Sequence, residues 1–431
     1  MKVLMFGWEF PPHISGGLGT ACYGLTKGLA QQGVEVLFVM PKAVGDEDSS
    51  IGKIINASDV EMPTTTSYVD DFWQNVSFLP VSSGLIPYLG LEEYEQYVTE
   101  TENGGSQRSF THLGGKFSFS GKYGTNLMEE VRNYAYVASK IARENDFDVI
   151  HAHDWLTYLA GIVAKKISGK PLVVHVHATE FDRSGENVNR VVYDLERLGM
   201  EQADAVVAVS NLTRNIVINR YGIDKSRVFA VHNAVDFSGR KEIEVKKAVK
   251  EKVITFLGRI TYQKGPEYFI EAASKVLKRY PNVRFVMAGS GDMMNKMVQR
   301  VAKLRIGSKF SFTGFLTGDD VNQMYAQSDV YVMPSVSEPF GISPLEAMRT
   351  GVPVIISNQS GVAEVLEHAM KVNFWDIDAL ADAMYGLLAY PTLTDTLKVR
   401  GTEEVNSLNW DNSAIRVKEV YEKMLADSNL G

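Results

Sequence analysis

Cysteine is nearly absent: Cys22 is the only one in 431 residues. No intrachain disulfide can form and no thiolate-rich zinc site can be built, which points to a reducing compartment. No run of 18 or more apolar residues occurs, so no segment is expected to span a membrane. Positive charge is short as well: 44 Lys and Arg against 52 Asp and Glu leave −8. Bulk electrostatics therefore give no hold on nucleic acid or an anionic membrane surface. The start, MKVLMFGWEFPP, has one lysine and then only about five apolar residues before Trp8, which reads as a first β-strand and not as a signal peptide. The expected location is cytoplasmic. Two nucleotide signatures are missing too. There is no GxGxxG with an acidic residue ending the second strand, and no loop ends in GK[ST].

An apolar content of 45% and a charged content of 22% suit a globular chain. The length suits two domains of roughly 200 residues. Short apolar runs alternate with amphipathic stretches: VLMFG, VEVLFVMP, DVIHAHD, PLVVHVHATE, AVVAVS and RVFAVHNAVD, then VITFLGRIT, VRFVMAGSG, KFSFTGFL, DVYVMPS and PVIISN. Continuous apolar strands separated by helices predict parallel sheets covered on both faces, and the pattern runs twice. The charged stretch SGRKEIEVKKAVKEKV divides the series near Phe237 to Val249 and reads as a solvated linker or helix. The expected division is an N-terminal domain over 1–238, a C-terminal domain over 239–405, and a terminal helix over 406–431 that crosses back to the first. Ile415, Val417, Val420, Tyr421 and Met424 are expected along the apolar side of that helix. Closure about a hinge near 237–250 is a further expectation.

Residues 45–125 interrupt the alternation, and Tyr68, Phe72, Trp73, Phe78, Tyr88, Tyr94 and Tyr97 crowd into them. Such a segment is either a satellite subdomain with its own core or a stacking surface for a carbohydrate acceptor.

Three loops could hold an anion. HISGGLGTACYG offers Gly16, Gly17 and Gly19 ahead of a helix, either as a tight turn or as bare amides for a phosphate. GRITYQKG puts Arg259 and Lys264 after a strand, where a fork and a point charge suit a diphosphate. In SEPFGISPLEAM, Ser343 reads as N-cap, Pro344 as N1 and Glu346 as N3 of a capping box. That box asks nothing of Glu338. Yet Gly341, Ile342 and Ser343 present amides just before a helix, while Glu338 and Glu346 suit sugar hydroxyls. A nucleotide sugar satisfies every group.

His-x-His occurs twice, at His151/His153 and His175/His177, and strand alternation puts each pair on one face. The pairs read either as a metal site or as a satisfied core histidine at His151 and a sugar-hydroxyl partner at His153. The two-sheet pattern argues against the metallohydrolase barrel. No metal is expected.

WEFPP…GGLG, HAHDW, HATE, GR…K and EPFGISPLEAM together resemble the two-domain GT-B glycosyltransferases, in particular glycogen and starch synthases and related bacterial α-glucosyltransferases. The resemblance implies an α/β fold of two Rossmann-like, doubly wound parallel-sheet domains facing a central cleft. It implies retaining transfer of glucose from ADP- or UDP-glucose to an α-1,4-glucan, with no metal and no other cofactor. Position by position, Gly17 and its neighbours would line the diphosphate and Arg259 and Lys264 would neutralise it. Glu338 would contact the donor sugar, Glu346 the ribose and His153 the glucose. Asn233, in HNAVD, stands where the family has a cleft-facing loop. Ile14-Ser15 stands where bacterial glycogen synthases have KxGGL, so one contact is expected to be lost. The alternatives are another sugar, a non-glucan acceptor, a nucleotide-sugar epimerase on the same architecture, a silent glycan-binding protein, or inversion with His13 as general base.

Overall fold

The computed structural model describes residues 1–12, 17–63, 115–235 and 249–428. Two compact units emerge. One comprises Met1–Phe181, Glu186–Ala234 and Trp410–Gly431; the other comprises Asp182–Gly185 and Val235–Asn409. The aromatics of the 45–125 segment, from Tyr68 to Tyr97, and residues 237–248 of the expected hinge near 237–250 lie outside the described residues.

The chain runs β1 (Lys2–Phe6), α1 (Gly17–Gln31), β2 (Glu35–Met40), β3 (Lys53–Asn56), β4 (Glu61–Met62), β5 (Gly115–Lys116), α2 (Leu127–Glu144) and β6 (Val149–His153). It continues with α3 (Trp155–Ser168), β7 (Leu172–Val176), α4 (Glu180–Ser184), α5 (Arg190–Gln202), β8 (Ala205–Ala208), α6 (Asn211–Tyr221) and β9 (Val228–Ala230). Seven strands form one sheet in the order β3-β2-β1-β6-β7-β8-β9, and every neighbouring pair is parallel.

Alternation along the strands explains the unbroken apolar runs. Leu4 and Phe6 of β1 enter the core on one face, and Val3 and Met5 enter the core on the other. Both faces are covered, so neither set of side chains can be polar. The edge strand β3, KIIN, lies within the segment where the alternation was expected to fade. An edge strand of four residues is too short to announce itself by pattern.

The terminal helix, Trp410–Ser428, buries Trp410, Ala414, Val417, Tyr421 and Met424 at a 3–4 residue spacing. Ile415 departs from the expectation: it is off that stripe and exposed. The helix packs against α1. A Cβ on Gly24 would sit 2.1 Å from Trp410 Nε1, and one on Gly28 would meet Ala414, so the glycines let the two helices approach closely.

The second unit contains β10 (Lys252–Leu257), α7 (Pro266–Arg279), β11 (Val283–Ala288), α8 (Met294–Lys303), β12 (Phe310–Gly314), α9 (Asp319–Gln327) and β13 (Val330–Met333). It goes on with α10 (Ser343–Arg349), β14 (Val354–Ser357), β15 (Met370–Val372), α11 (Ile377–Ala389) and α12 (Pro391–Ser407), before α13 (Trp410–Ser428) returns to the first unit. Its six strands are parallel in the order β12-β11-β10-β13-β14-β15. Phe256, Phe269, Phe285 and Phe310 pack through its centre.

Candidate functional site

Each sheet has one place where the strand order reverses: between β1 and β6 in the first, and between β10 and β13 in the second. Loops leaving the carboxyl ends of such strands diverge and open a crevice, which is where open α/β sheets bind ligands.

In the second unit the loops after β10 and β13 touch directly. Val336 N–H donates to Gln263 O at 2.9 Å. Gly265 sits at φ +65 with Pro334 O where a Cβ would be, 2.2 Å away, so a side chain there would push the loops apart. Across this contact Lys264 Nζ pairs with the Glu338 carboxylate. Ser335 Oγ donates to the same carboxylate oxygen at 3.2 Å. Glu338 is fixed from both sides of its backbone, by N–H to Gln359 O at 2.9 Å and by O from Gly361 N–H at 2.9 Å. Its side chain is 8% exposed and that of Lys264 is 21% exposed. Arg259 is exposed, and its Nη2 donates to Oε1 of the buried Gln263 at 3.0 Å.

Ser343 does not cap the helix as the sequence predicts. α10 starts one residue earlier than expected, with Ile342 in the cap position and no side-chain cap bond. Ser343 Oγ instead accepts from Tyr331 OH at 2.8 Å. A buried phenol needs a partner, and burial pushes its pKa well up, so the hydroxyl is claimed by the core. Gly341 holds φ +100, which turns the chain into the helix between Glu338 and Ser343. Glu346 lies in the first turn of α10.

In the first unit, Gly17 opens α1 and Gly19 is buried in its first turn, after the β1 loop. Gly16 and His13 lie outside the described residues. His153 ends β6, beside β1, and its register partner on β7 is His175. The four histidines share the sheet face that also carries Val149, Val173, Trp410 and Tyr421. Their rings are near-parallel: His151–His153 centroids lie 4.3 Å apart, His175–His177 4.4 Å and His151–His175 5.3 Å. His153 Nδ1 lies 2.9 Å from His177 Nε2, and His151 Nδ1 lies 2.5 Å from Tyr421 OH. Desolvation holds all four below the usual imidazole range, His177 at about 3, and neighbouring imidazoles reinforce it for the other three. The array is neutral.

Two ligand triads also form within it, Cys22/His153/His177 and His151/His153/His175, with ligand atoms within 4.8 Å of one another. His153 belongs to both, and its Nδ1 is already hydrogen-bonded to His177. Burial pushes the Cys22 thiol well up, away from the thiolate a metal needs, with Asp154 and Glu9 adding to the shift.

Asn233 follows β9, between Val231 and Ala234, which belong to the same core cluster as Cys22, Trp410 and Tyr421. Asp154 is the residue that sequence reasoning passed over. It precedes α3, yet it makes no side-chain cap bond and holds φ 61, ψ 169. Its Oδ1 accepts from His177 N–H at 2.7 Å, and its own N–H donates to His175 O at 2.9 Å. Nothing in HAHDW announces this, because the partner lies on the next strand.

A profile of the family "Glycosyl transferases group 1" matches residues 239–403, and one of "Glycosyltransferase Family 4" matches residues 115–238. An α-maltose-1-phosphate synthase of Mycolicibacterium smegmatis is 31% identical over 64% of this chain and 79% of its own length. A glycogen synthase of Mycobacterium tuberculosis is 23% identical over 98% and 94%. Among solved structures, the Anabaena protein HepE in complex with UDP and glucose superposes with a TM-score of 0.67 at 17% identity, covering 98% of this chain and 100% of that one. The shared fold is GT-B.

Proposed function

Because the chain belongs to the group 1 glycosyltransferases, we propose that it transfers glucose from a nucleoside-diphosphate glucose, ADP- or UDP-linked, to an α-1,4-glucan with retention at the anomeric carbon. The observation that carries this reading is the Lys264–Glu338 pair at the switch point of the second sheet. A lysine held there by a carboxylate is poised to change partners. The donor diphosphate takes the ammonium, and Glu338 is released to accept hydrogen bonds from the sugar.

Arg259 adds a second cation, and the amides of Gly341, Ile342 and Ser343 add dipoles. Glu346 takes the ribose hydroxyls. In the first unit Gly16, Gly17 and Gly19 give backbone amides to the phosphates, and Asn233 belongs to a donor-facing loop. His153 meets a hydroxyl of the transferred glucose. Its buried Nε2 lacks a hydrogen-bond partner, as do His151 Nε2 and both ring nitrogens of His175, and His153 is the member that ends its strand.

The acceptor oxygen forms its bond to C1 on the face from which the phosphate oxygen departs. The breaking bond leaves its electron pair on the diphosphate, which takes the acceptor's proton. No side-chain base and no metal is needed for this transfer. The protein's part is to hold donors where negative charge develops on the leaving group.

The test is a matrix of UDP-glucose and ADP-glucose, with other hexose donors, against maltooligosaccharides and other acceptors. Chain lengthening with an α-linkage, read by anomer-resolved NMR, supports the proposal. A β-linked first product makes the enzyme inverting, a sugar altered without acceptor makes it an epimerase, and binding without turnover makes it a glycan-binding protein.

A further inference from the structure

His177 does work that the transfer reaction leaves unassigned. A neutral imidazole carries one N–H, and burial keeps these rings neutral. The facing nitrogens, His153 Nδ1 and His177 Nε2, therefore share a single hydrogen. Whichever ring supplies it, the protonation of His153 Nε2 is the complement of that choice. A hydroxyl arriving at Nε2 meets a donor in one case and an acceptor in the other.

The backbone beside this pair is strained. Asp154, with φ 61 and ψ 169, occupies a region that is essentially glycine's own. It is held there by two bonds to β7 and the residue after it: N–H to His175 O, and carboxylate to His177 N–H, with Ala178 N–H at 3.4 Å. These bonds tie the end of β6 to the end of β7 at the point where the two rings meet. A carboxylate that could have capped α3 is spent on that tie.

We infer that His177 is a positioning residue: clamped through its backbone by Asp154, it holds the His153 ring in one orientation and one neutral tautomer, so that Nε2 presents a fixed hydrogen-bonding character to the donor sugar. The inference rests on the reading of His153 as the sugar's partner.

Ring 15N spectra of histidine-labelled protein test the tautomer without substrate. The native protein should show His153 as a single tautomer, and His177→Leu should leave it averaged between two. A mixed His153 in the native protein overturns the inference, as does an unchanged spectrum in the variant. In turnover, His177→Leu should lower kcat about tenfold with little change in the KM for donor. His177→Gln, whose amide reaches the Nε2 position and can donate or accept, should stay within about threefold of native. Equal losses in Leu and Gln overturn it.

Asp154→Gly separates strain from function. Glycine takes φ 61 freely but lacks the carboxylate, so relief of strain offsets part of the cost of the unpaired His177 N–H while kcat falls as in His177→Leu; full activity in this variant overturns the clamp. If native protein turns over no nucleotide sugar, the functional reading falls by itself and the 15N result still decides the tautomer.

Discussion

At the switch point of the first sheet, three buried imidazoles and the half-buried His177 form a neutral array beside Cys22, Trp410 and Tyr421. At that of the second sheet, a lysine and a glutamate from two touching loops form a partly exposed ion pair. The two sheets share a winding pattern, yet the material at the reversal differs. Neutral rings packed in a core keep their places, because the close ring stacking leaves each little room to turn. In the ion pair Lys264 is the more exposed partner, so an arriving anion meets the ammonium before it meets the buried Glu338. The first arrangement suits fixed recognition of hydroxyls, and the second suits a charge that arrives and leaves.

The largest effect expected from this contrast is in acid. A ring whose native pKa is held down, to about 3 for His177, binds a proton only in the unfolded chain once pH falls below about 6.5. Stability is therefore full above that pH and is lost as pH falls through the interval, in the same direction for all four rings. Four rings act in the first unit. The second unit carries one histidine, His368, which is only partly buried. Denaturant titrations between pH 7 and 5 should show the first unit losing stability much faster than the second. Parallel loss in both units would break the comparison.

Lys264→Ala should lower kcat by about 10²-fold, near 2.7 kcal/mol of lost transition-state stabilisation, with circular dichroism unchanged. A tenfold loss or less counts against the partner exchange. Next in size, Gly24→Ala forces a Cβ against Trp410 and should cost about 2 kcal/mol in urea unfolding, the usual penalty of overpacking. The smallest effect belongs to Tyr421→Phe. It removes the hydroxyl that meets His151 and should cost about 1 kcal/mol while leaving donor KM unchanged. A large change in KM would place Tyr421 in the binding machinery rather than behind it.

Much of this was legible along the chain. The doubled series of apolar strands gave the two sheets, because strands buried on both faces cannot hide their composition. The loops bearing Arg259, Lys264 and Glu338 were recognisable as following strands of the second sheet, and Lys264 and Glu338 do meet. The two His-x-His pairs were visible as one-face pairs, though not as one array. The edge strand Lys53–Asn56 was too short to see, and the stripe of the last helix was misread at Ile415, where one residue of phase moves a side chain into solvent. Ser343 was misassigned because its hydroxyl had a rival partner, Tyr331, twelve residues away on a strand.

By itself the sequence determined the doubly covered strands, the main helices, and which loops carry cations, carboxylates and glycines, since these follow from periodicity and from each residue's own chemistry. Only the tertiary structure decided that Lys264 meets Glu338, that four imidazoles become one neutral array, and that Asp154 leaves its helix to hold the next strand. Strand order and ring contacts join residues 23 to 270 positions apart. Such pairings are selected by how whole sheets and helices pack, and no local pattern encodes them.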